Sequence, residues 1–336
     1  MSKKRWAALG IAAALFVVSI IVNFAVSAVT TDFSSLFDKA FATPDQNFTE
    51  DIMKQGKSTK KIAVLNVDGV IQDTGSAGSL LSNGSFNFKD FMDQLNYAKE
   101  DNNVKGIIIR VNSPGGGVVE SAEIHDKIVE IQKDTKKPIY VSMGATAASG
   151  GYYISTPANK IFASPETLTG SLGVIMEGIN YGELAKKYGI NFMTIKSGTY
   201  KDIMSPSRPM TNDEKKILQN MVNDSYDGFV KVISEGRKLS EKRVRELADG
   251  RVYDGRQAKK LNLIDDFGYL DDVINHMKQD YQLKGAQVVQ YSTDFGIGSL
   301  LSMTAQKMMG KEAEMSGLLH VLAQPNAPRL MYLYSK

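Results

Sequence analysis

The sequence predicts an α/β domain, because short apolar runs alternate with amphipathic segments from Lys61 onwards. Gly106–Val111 is a short apolar run of the kind found in strands that are buried on both faces of a parallel sheet. Glu120–Lys133 has helical spacing, since three isoleucines fall on one face and the charged residues fall on the other. Short right-handed crossovers would connect strands and helices in this order.

The remaining elements follow from the same two patterns. Runs rich in β-branched and aromatic residues predict strands, and helical spacing of apolar side chains predicts helices. Thr211 and Ser240 are suited to cap the helices that follow them, because their side-chain oxygens can accept a backbone N–H. We assign these later helices to the same domain. The predicted strands are Ile62–Val67, Pro138–Met143, Lys160–Ala163 and Ile190–Ile195, and the predicted helices are Phe88–Lys99, Asp213–Gly236, Ser240–Ala248 and Asp254–Leu261.

Composition excludes several classes of protein. The chain has 336 residues, of which 43% are hydrophobic and 23% are charged, so it can bury a core and is not a disordered chain. Its 40 basic and 37 acidic residues leave a net charge of +3, without the clustered basic charge that nucleic-acid binding requires. It has no cysteine, which excludes disulfides and a thiol nucleophile, and its three histidines are too widely separated to favour a metal site. The chemistry must therefore use oxygen or amine groups.

The first thirty residues predict a membrane anchor. Lys3-Lys4-Arg5 precedes an apolar stretch, Ala7–Val29, which at about 1.5 Å per residue can cross a hydrocarbon core of about 30 Å. Because basic residues stay on the cytoplasmic side, the bulk of the chain would lie outside the cell. A cleavable signal peptide is the alternative, since Val26-Ser27-Ala28 loosely fits a cleavage site. We therefore divide the chain into an anchor at 1–29, a tether at 30–60 and an extracytoplasmic domain at 61–336.

A first glycine-rich corner, Asn112–Gly117, follows one predicted strand and precedes a helix. Glycines leave backbone N–H groups accessible, so the corner could bind a phosphate or stabilise an oxyanion. It lacks the Lys-Ser/Thr pair of a P-loop, and Glu120 stands where a dinucleotide-binding motif has its last glycine. Taken alone, the motif favours a tight turn between strand and helix.

A second glycine-rich corner, Gly144–Gly151, follows the strand Pro138–Met143. Ser149 lies there among residues too small to cover it, at an expected helix N-terminus where backbone dipoles favour negative charge. The segment is not a G-x-S-x-G nucleophile elbow, because Ala147 replaces the first glycine. The local pattern leaves two options open, which are a nucleophile and a serine that caps a closely packed helix.

The two corners together are more specific than either one alone. Both follow parallel strands, so both should lie at the carboxyl edge of one sheet, where ligand sites occur in α/β domains. The pairing of S-P-G-G (113–116) with A-A-S-G (147–150) resembles the Clp-protease/crotonase superfamily. That resemblance implies a fold of repeated ββα units, here followed by a helical C-terminal part, with oxyanion-hole amides in the first motif and the serine in the second.

A serine nucleophile needs a base within hydrogen-bond reach. None of the three histidines suits this role. A lysine can act as the base when burial among apolar groups lowers its pKa from about 10.4. Lys196 and Lys201 are the candidates, and the physical chemistry of the residues does not choose between them.

Three longer motifs resemble the signal peptide peptidase SppA family. They are M-G-A-T-A-A-S-G-G-Y-Y (143–153), S-P-E-T-L-T-G-S-L-G-V (164–174) and I-K-S-G-T-Y-K-D (195–202). The resemblance extends from Lys61 to about Gly268, and the chain has the length of the short Gram-positive form of the family.

This resemblance implies a role for each of five residues. Ser149 is the expected nucleophile, Lys201 the general base and Ser171 the hydrogen-bond partner of that lysine. The N–H groups of Gly116 and Gly150 are the expected oxyanion hole.

The implied function is a membrane-anchored serine endopeptidase that degrades remnant signal peptides and other short exported peptides. It requires no metal or organic cofactor and binds no nucleic acid. By analogy with the family, we expect a homo-oligomer, an octameric ring in which neighbouring subunits share the dyad. The alternatives are a crotonase-like acyl-CoA or thioester enzyme and a non-catalytic membrane scaffold.

The C-terminal tail, Leu330–Tyr334, is apolar and follows two prolines. It could occupy the substrate groove or be trimmed there, and the alternatives are a simple edge strand and disorder.

Overall fold

The computed structural model describes residues 48–73, 86–293 and 329–334. The chain divides into two compact units, one formed by Met1–Thr49 and Thr293–Ala323 and the other by Glu50–Ser292 and Gln324–Lys336. The second unit contains nearly all of the described residues. The predicted anchor at 1–29 lies outside them, and no helix among the described residues is both long enough and apolar enough to cross a bilayer.

Strands and helices alternate through the described residues, as the sequence predicts. Most of the predicted boundaries agree with the observed ones to within a few residues. The strands are β1 (Phe48–Lys54), β2 (Lys57–Asp68), β3 (Val104–Ser113), β4 (Gly115–Gly117), β5 (Ile139–Ala148), β6 (Lys160–Ala163), β7 (Leu168–Gly170), β8 (Val252–Asp254), β9 (Asp266–Phe267), β10 (Ala286–Thr293) and β11 (Met331–Leu333). The helices are α1 (Phe88–Glu100), α2 (Val118–Thr135), α3 (Gly150–Tyr153), α4 (Gly182–Lys187), α5 (Asn212–Arg237), α6 (Glu241–Leu247), α7 (Gly255–Lys260) and α8 (Leu270–Asp280).

The main sheet is mostly parallel. Its order is β1-β10-β2-β3-β5-β6-β9, and β7 pairs with β5 and with β8. The neighbours β10–β2, β2–β3, β3–β5, β5–β6, β5–β7 and β6–β9 are parallel, and β7–β8 are antiparallel. The predicted α/β class is therefore confirmed, and the two glycine-rich corners follow the neighbouring strands β3 and β5.

Helices cover the sheet and bury its apolar runs. In α8, Val273, Ile274 and Met277 pack in one cluster with Ile62 and Val64 of β2. Because side chains alternate along a strand, the intervening residues of β2 point to the opposite face. The three isoleucines of α2 are also fully buried, as their spacing predicts.

Helix α5 is the longest helix among the described residues, and its N-terminus is fixed by a capping box. The Thr211 side chain accepts the Glu214 N–H, and the Glu214 carboxylate accepts the Thr211 N–H. Further along the helix, Phe229, Val230 and Ile233 enter the core. The cap predicted at Thr211 is thus confirmed.

Three local predictions need correction. Ile190–Ile195 is not a strand, and Met193 and Ile195 are 91% and 99% exposed, because no strand of the described residues pairs with this apolar run. Strand β5 continues through the small residues to Ala148, so that only the end of the second corner is a turn. The sheet also begins at Phe48, inside the segment predicted as a tether.

Candidate active site

The first glycine-rich corner forms the short strand β4, which has a backbone neighbour on each edge. On one edge, Ile71 donates its N–H to the Gly115 carbonyl and accepts the Gly117 N–H, both at 2.8 Å. On the other edge, β11 pairs antiparallel with β4, with Tyr332 opposite Gly116. A methyl group at Gly116 would come within 1.8 Å of the Ile71 carbonyl oxygen, so this close approach requires glycine.

The tail strand β11 lies between β4 and a second edge at Ile175. The N–H and C=O groups of Met331 and Ile175 bond reciprocally at 3.0 Å. Beyond β4, the Tyr334 N–H bonds to the Pro114 carbonyl at 2.8 Å, and the Leu330 carbonyl accepts the Val118 N–H at 3.3 Å. The tail is therefore the middle strand of a three-stranded arrangement that is held largely by main-chain hydrogen bonds.

Ser149 lies at the turn between β5 and α3, directly beside the glycine strand. Its backbone has a φ of +52°, which is rare for a residue other than glycine and is the kind of strain that accumulates at functional sites. Its N–H bonds to the Gly170 carbonyl at 2.8 Å, which fixes the turn. The Ser149 hydroxyl is buried and makes no hydrogen bond to any of the described residues. A buried hydroxyl without a partner costs free energy, so a feature other than local stability accounts for it.

The structure places Ser171 next to Ser149. Gly170 is opposite Ala148 in the β5–β7 pair, and Ser171 follows it with a φ of +50°. The Ser171 N–H bonds to the Arg251 carbonyl at 2.7 Å. Ser171 also lines a cavity of about 480 Å³ that the tail residues Leu333 and Tyr334 border.

The two expected oxyanion amides lie close to each other. A methyl group at Gly150 would lie 3.1 Å from the Gly116 nitrogen. A methyl group at Gly115, where φ is +101°, would lie 2.6 Å from the Gly150 nitrogen and 2.0 Å from the Tyr332 carbonyl oxygen. A backbone carbonyl of the tail thus lies close to the Gly150 amide, and Tyr332 stands opposite Gly116 in the β4–β11 pair.

The side chain next to that carbonyl fills an aromatic pocket. Tyr332 is 2% exposed, and its ring stacks on Tyr153 at 4.9 Å and contacts Phe229 at 4.5 Å. Its hydroxyl bonds to the Ser225 carbonyl at 3.3 Å. Burial raises the pKa of Tyr153 to about 12, with a smaller contribution from the charge of Asp126, so this tyrosine stays neutral.

The two candidate lysines have different surroundings. Lys196 donates to an Asp202 carboxylate oxygen at 2.6 Å and to the Thr199 carbonyl at 3.0 Å, so its ammonium takes part in a structural ion pair. Lys201 is exposed. Within one chain, neither lysine bonds to the Ser149 hydroxyl.

The histidines of the described residues have other contacts. The His125 ring packs against Tyr153, with its Nδ1 3.0 Å from an Asp126 carboxylate oxygen. His276 packs on Phe162. Neither is a partner of the Ser149 hydroxyl.

Comparison with known proteins identifies the family. The model of peptidase family S49 matches residues 131–284, and the Clp protease model matches residues 83–168. A protein of Enterococcus faecium named "Putative signal peptide peptidase SppA" is 40% identical over 99% of both chains. The chain belongs to the signal peptide peptidase SppA family. It is therefore a serine peptidase.

More distant members of the family match part of their own length. Protease 4 of Haemophilus influenzae is 34% identical over 82% of this chain and 46% of its own. The chloroplastic serine protease SPPA of Arabidopsis thaliana is 30% identical over 78% of this chain and 39% of its own. The mostly parallel sheet is consistent with a Clp-protease-like fold.

The structure adds residues to the site that the sequence patterns did not identify. Tyr153 and Phe229 form the pocket for the tail, and Arg208 and Glu214 contact the segment that carries Lys201. Tyr153 follows Ser149 in one motif and could have been found there. The other three give no local signal, because their contacts depend on how distant segments pack.

Proposed function

We propose that this chain is a membrane-anchored endopeptidase that uses Ser149 as nucleophile and Lys201 as general base. Its substrates would be remnant signal peptides and other short exported peptides. The observation that supports this most directly is the tail strand, because it lies on the glycine strand with Tyr332 opposite Gly116 and its carbonyl close to the Gly150 amide. A peptide bound in the same way would present its scissile carbonyl next to Ser149.

The proposed reaction proceeds through an acyl-enzyme. The Ser149 oxygen attacks the carbonyl carbon while its proton passes to the neutral Lys201 amine. The Gly116 and Gly150 N–H groups bind the negative charge that forms on the carbonyl oxygen. The C–N bond then breaks, Lys201 returns the proton to the leaving amine, and an acyl ester remains on Ser149. Water loses a proton to Lys201, attacks the ester and restores the free hydroxyl, while the Ser171 hydroxyl orients the lysine.

We further propose that the lysine comes from a second copy of the chain, in a homo-oligomeric ring of about the size expected by analogy with the family, an octamer. In one chain, α3 contacts α5 through Tyr153 and Phe229, whose ring centroids are 5.1 Å apart. The segment that carries Lys201 contacts the same helix at Glu214. Positions 214 and 229 are about 22 Å apart along the helix axis at 1.5 Å per residue, so the two halves of the dyad attach to distant parts of one helix.

The exposed arm, residues 179–200, supports an interface between copies. It precedes Lys201 directly and displays large apolar side chains that contact little of their own chain. Contiguous exposed apolar surface of this kind marks interaction sites. The most exposed members are Ile179, Leu184, Tyr188, Met193 and Ile195.

The proposed anchor is Ala7–Val29, with Lys3-Lys4-Arg5 on the cytoplasmic side. This arrangement would hold the catalytic domain on the outer face of the cell membrane, where cleaved signal peptides are released. Cell fractionation, together with protease accessibility of the domain in intact cells, tests it, and a domain protected from external protease would contradict it.

A fluorophosphonate probe tests the nucleophile. It should label the parent protein at Ser149, located by peptide mass spectrometry, and should not label Ser149→Ala. Lys201→Ala should label far more slowly, whereas His125→Ala should label like the parent. An adduct at any other residue, or full labelling of Lys201→Ala, would overturn the dyad.

Mixing two inactive variants tests the shared dyad. Co-expressed Ser149→Ala and Lys201→Ala chains should recover peptidase activity, because some sites then combine an intact serine with an intact lysine. A mixture of Ser149→Ala with a chain that carries both substitutions should stay inactive. If the first mixture also stays inactive, the two residues belong to the same chain.

A further inference from the structure

We propose that Arg208 is a positioning residue for the base, and that Asp202 and Glu214 hold it in place. This inference rests on the proposed function, since it concerns where the Lys201 amine is held. Arg208 links the residue after Lys201 to the first turn of α5 through two carboxylates.

Arg208 binds Asp202 through several hydrogen bonds. Its Nε lies 2.8 Å from Asp202 Oδ2, and its Nη2 lies 2.7 Å from Asp202 Oδ1. The same Nη2 donates to the Asp202 backbone carbonyl at 3.1 Å. Paired N–H donors in a fixed plane fix the orientation of a carboxylate as well as its distance. The backbone and side chain next to Lys201 are therefore both fixed by one guanidinium group.

The other side of Arg208 is held by a buried carboxylate. Nη1 and Nη2 lie 2.9 and 2.5 Å from the two Glu214 oxygens, and the Glu214 side chain is 2% exposed. Arg208 is the largest cause that lowers the pKa of Glu214, to about 2, so this carboxylate stays charged. Glu214 also forms the capping box with Thr211, and α5 is anchored in the core by residues such as Phe229. A continuous set of contacts thus runs from the core to the residue beside the base.

Lys196, which precedes Lys201 in the sequence, also bonds to Asp202. Its ammonium lies 2.6 Å from Asp202 Oδ1 and donates to the Thr199 carbonyl. Between these residues the backbone forms tight turns, with the Lys201 N–H bonded to the Gly198 carbonyl at 3.1 Å. Arg208 followed by Lys196 lowers the pKa of Asp202 well below its usual range, so the carboxylate holds both cations across the working pH range.

Positioning is the appropriate role for Arg208 because its side chain cannot accept the serine proton. A guanidinium group stays protonated at any pH relevant to the enzyme. Lys201 is carried by an exposed segment, and a misplacement of about 1 Å in a reacting group can cost about 100-fold in rate. The clamp of Arg208, Asp202 and Glu214 supplies the rigidity that this segment needs.

Steady-state kinetics on a short peptide test the proposal. We expect Arg208→Ala to lower kcat by about 100-fold and to leave KM close to the parent value, because the groove does not involve this residue. Arg208→Lys should recover little, because an ammonium cannot bond to both carboxylates with the same geometry. Added guanidinium ion at millimolar concentration should partly restore Arg208→Ala and should not restore Lys201→Ala. Arg243→Ala, which removes an exposed arginine paired with Glu246 on α6, is the matched control and should behave like the parent.

Mixed oligomers locate the effect. In one mixture, the Arg208→Ala substitution is placed in the Ser149→Ala chain and the partner chain carries Lys201→Ala. In the other mixture, Arg208→Ala is placed in the Lys201→Ala chain. Only the first mixture should lose activity, because only there does the intact Lys201 lack its clamp. Equal loss in both mixtures, or a parent-like kcat in Arg208→Ala alone, would overturn the proposal.

These outcomes separate the clamp from the dyad. If Lys201→Ala keeps full activity, the proposed base is wrong. If Lys201→Ala is inactive and Arg208→Ala is fully active, the base stands and only the positioning role is wrong. If the mixture of Ser149→Ala and Lys201→Ala chains is inactive, the dyad is not shared between chains. In that case the kcat of Arg208→Ala and its response to guanidinium ion decide the positioning role.

Discussion

The Tyr332→Ala substitution should release the tail from the groove and improve the binding of added peptides. Tyr332 contributes its buried side chain and two aromatic contacts, with Tyr153 and Phe229, to tail docking. Burial of one aromatic side chain contributes about 1.5–3 kcal/mol, and each aromatic pair adds about 0.5–1.5 kcal/mol. A loss of about 3 kcal/mol corresponds to a decrease of about 100-fold in the docking equilibrium.

The assay is peptide hydrolysis under steady-state conditions. If the tail competes with substrate, KM for an added peptide falls by up to about 100-fold in Tyr332→Ala, while kcat stays near the parent value. Arg329→Ala is the matched control, because Arg329 is an exposed tail residue that lies 3.8 Å from Glu120 and should matter little. An unchanged KM in Tyr332→Ala would show that the tail does not occupy the substrate position in solution.

Three further predictions concern the dyad, the tail and the clamp. Ser149→Ala and Lys201→Ala should each abolish turnover of an added peptide without unfolding the protein, and retained turnover in either variant would contradict the dyad. Intact mass should show a shortened C-terminus in the active protein and a full-length one in Ser149→Ala, and equal masses would argue against trimming. The pKa of Glu214 is lowered from 4.5 to about 2, so its stabilising effect is complete above pH 4.5 and is lost as the pH falls towards 2. Thermal unfolding of Glu214→Gln should show a weaker dependence of Tm on pH between about 4.5 and 2 than that of the parent. An unchanged dependence would mean that the Arg208–Glu214 pair does not contribute to stability.

The sheet was predictable because its strands are determined by local composition. Gly106–Val111 is apolar except for Arg110, and it forms part of a central strand in which the other five residues are buried. The helical spacing of Glu120–Lys133 likewise fixed which face of α2 is buried. In such elements the pattern of apolar and polar residues itself shows which faces are buried, so a single sequence is enough to identify them.

Ile190–Ile195 shows where this reasoning fails. Its apolar character matches a buried strand, but its side chains are exposed in the chain. An apolar run indicates that a surface will be covered and does not indicate by what. The run belongs to the exposed arm, which is the surface that the proposed interface between copies would cover.

The site residues also differ in whether a local sequence pattern indicates them. Ser149 and the two glycine corners were found because each occupies a contiguous motif that needs small residues. The Arg208 clamp was not found, because two ion pairs to Asp202 and Glu214 have no distinctive local pattern. The pairing of β11 with β4 joins segments more than two hundred residues apart, and only the apolar character of the tail suggested it.

The groove between β4 and Ile175 is suited to a polypeptide in an extended conformation. A guest chain must be extended over about five residues, or about 17 Å, to bond to both edges. A helix cannot do this, since its N–H and C=O groups are bonded to each other. Under the proposed function, an apolar peptide that is helical in a bilayer would have to unwind before it is cut. The main-chain bonding of this groove would then discriminate by backbone conformation before any side-chain preference applies.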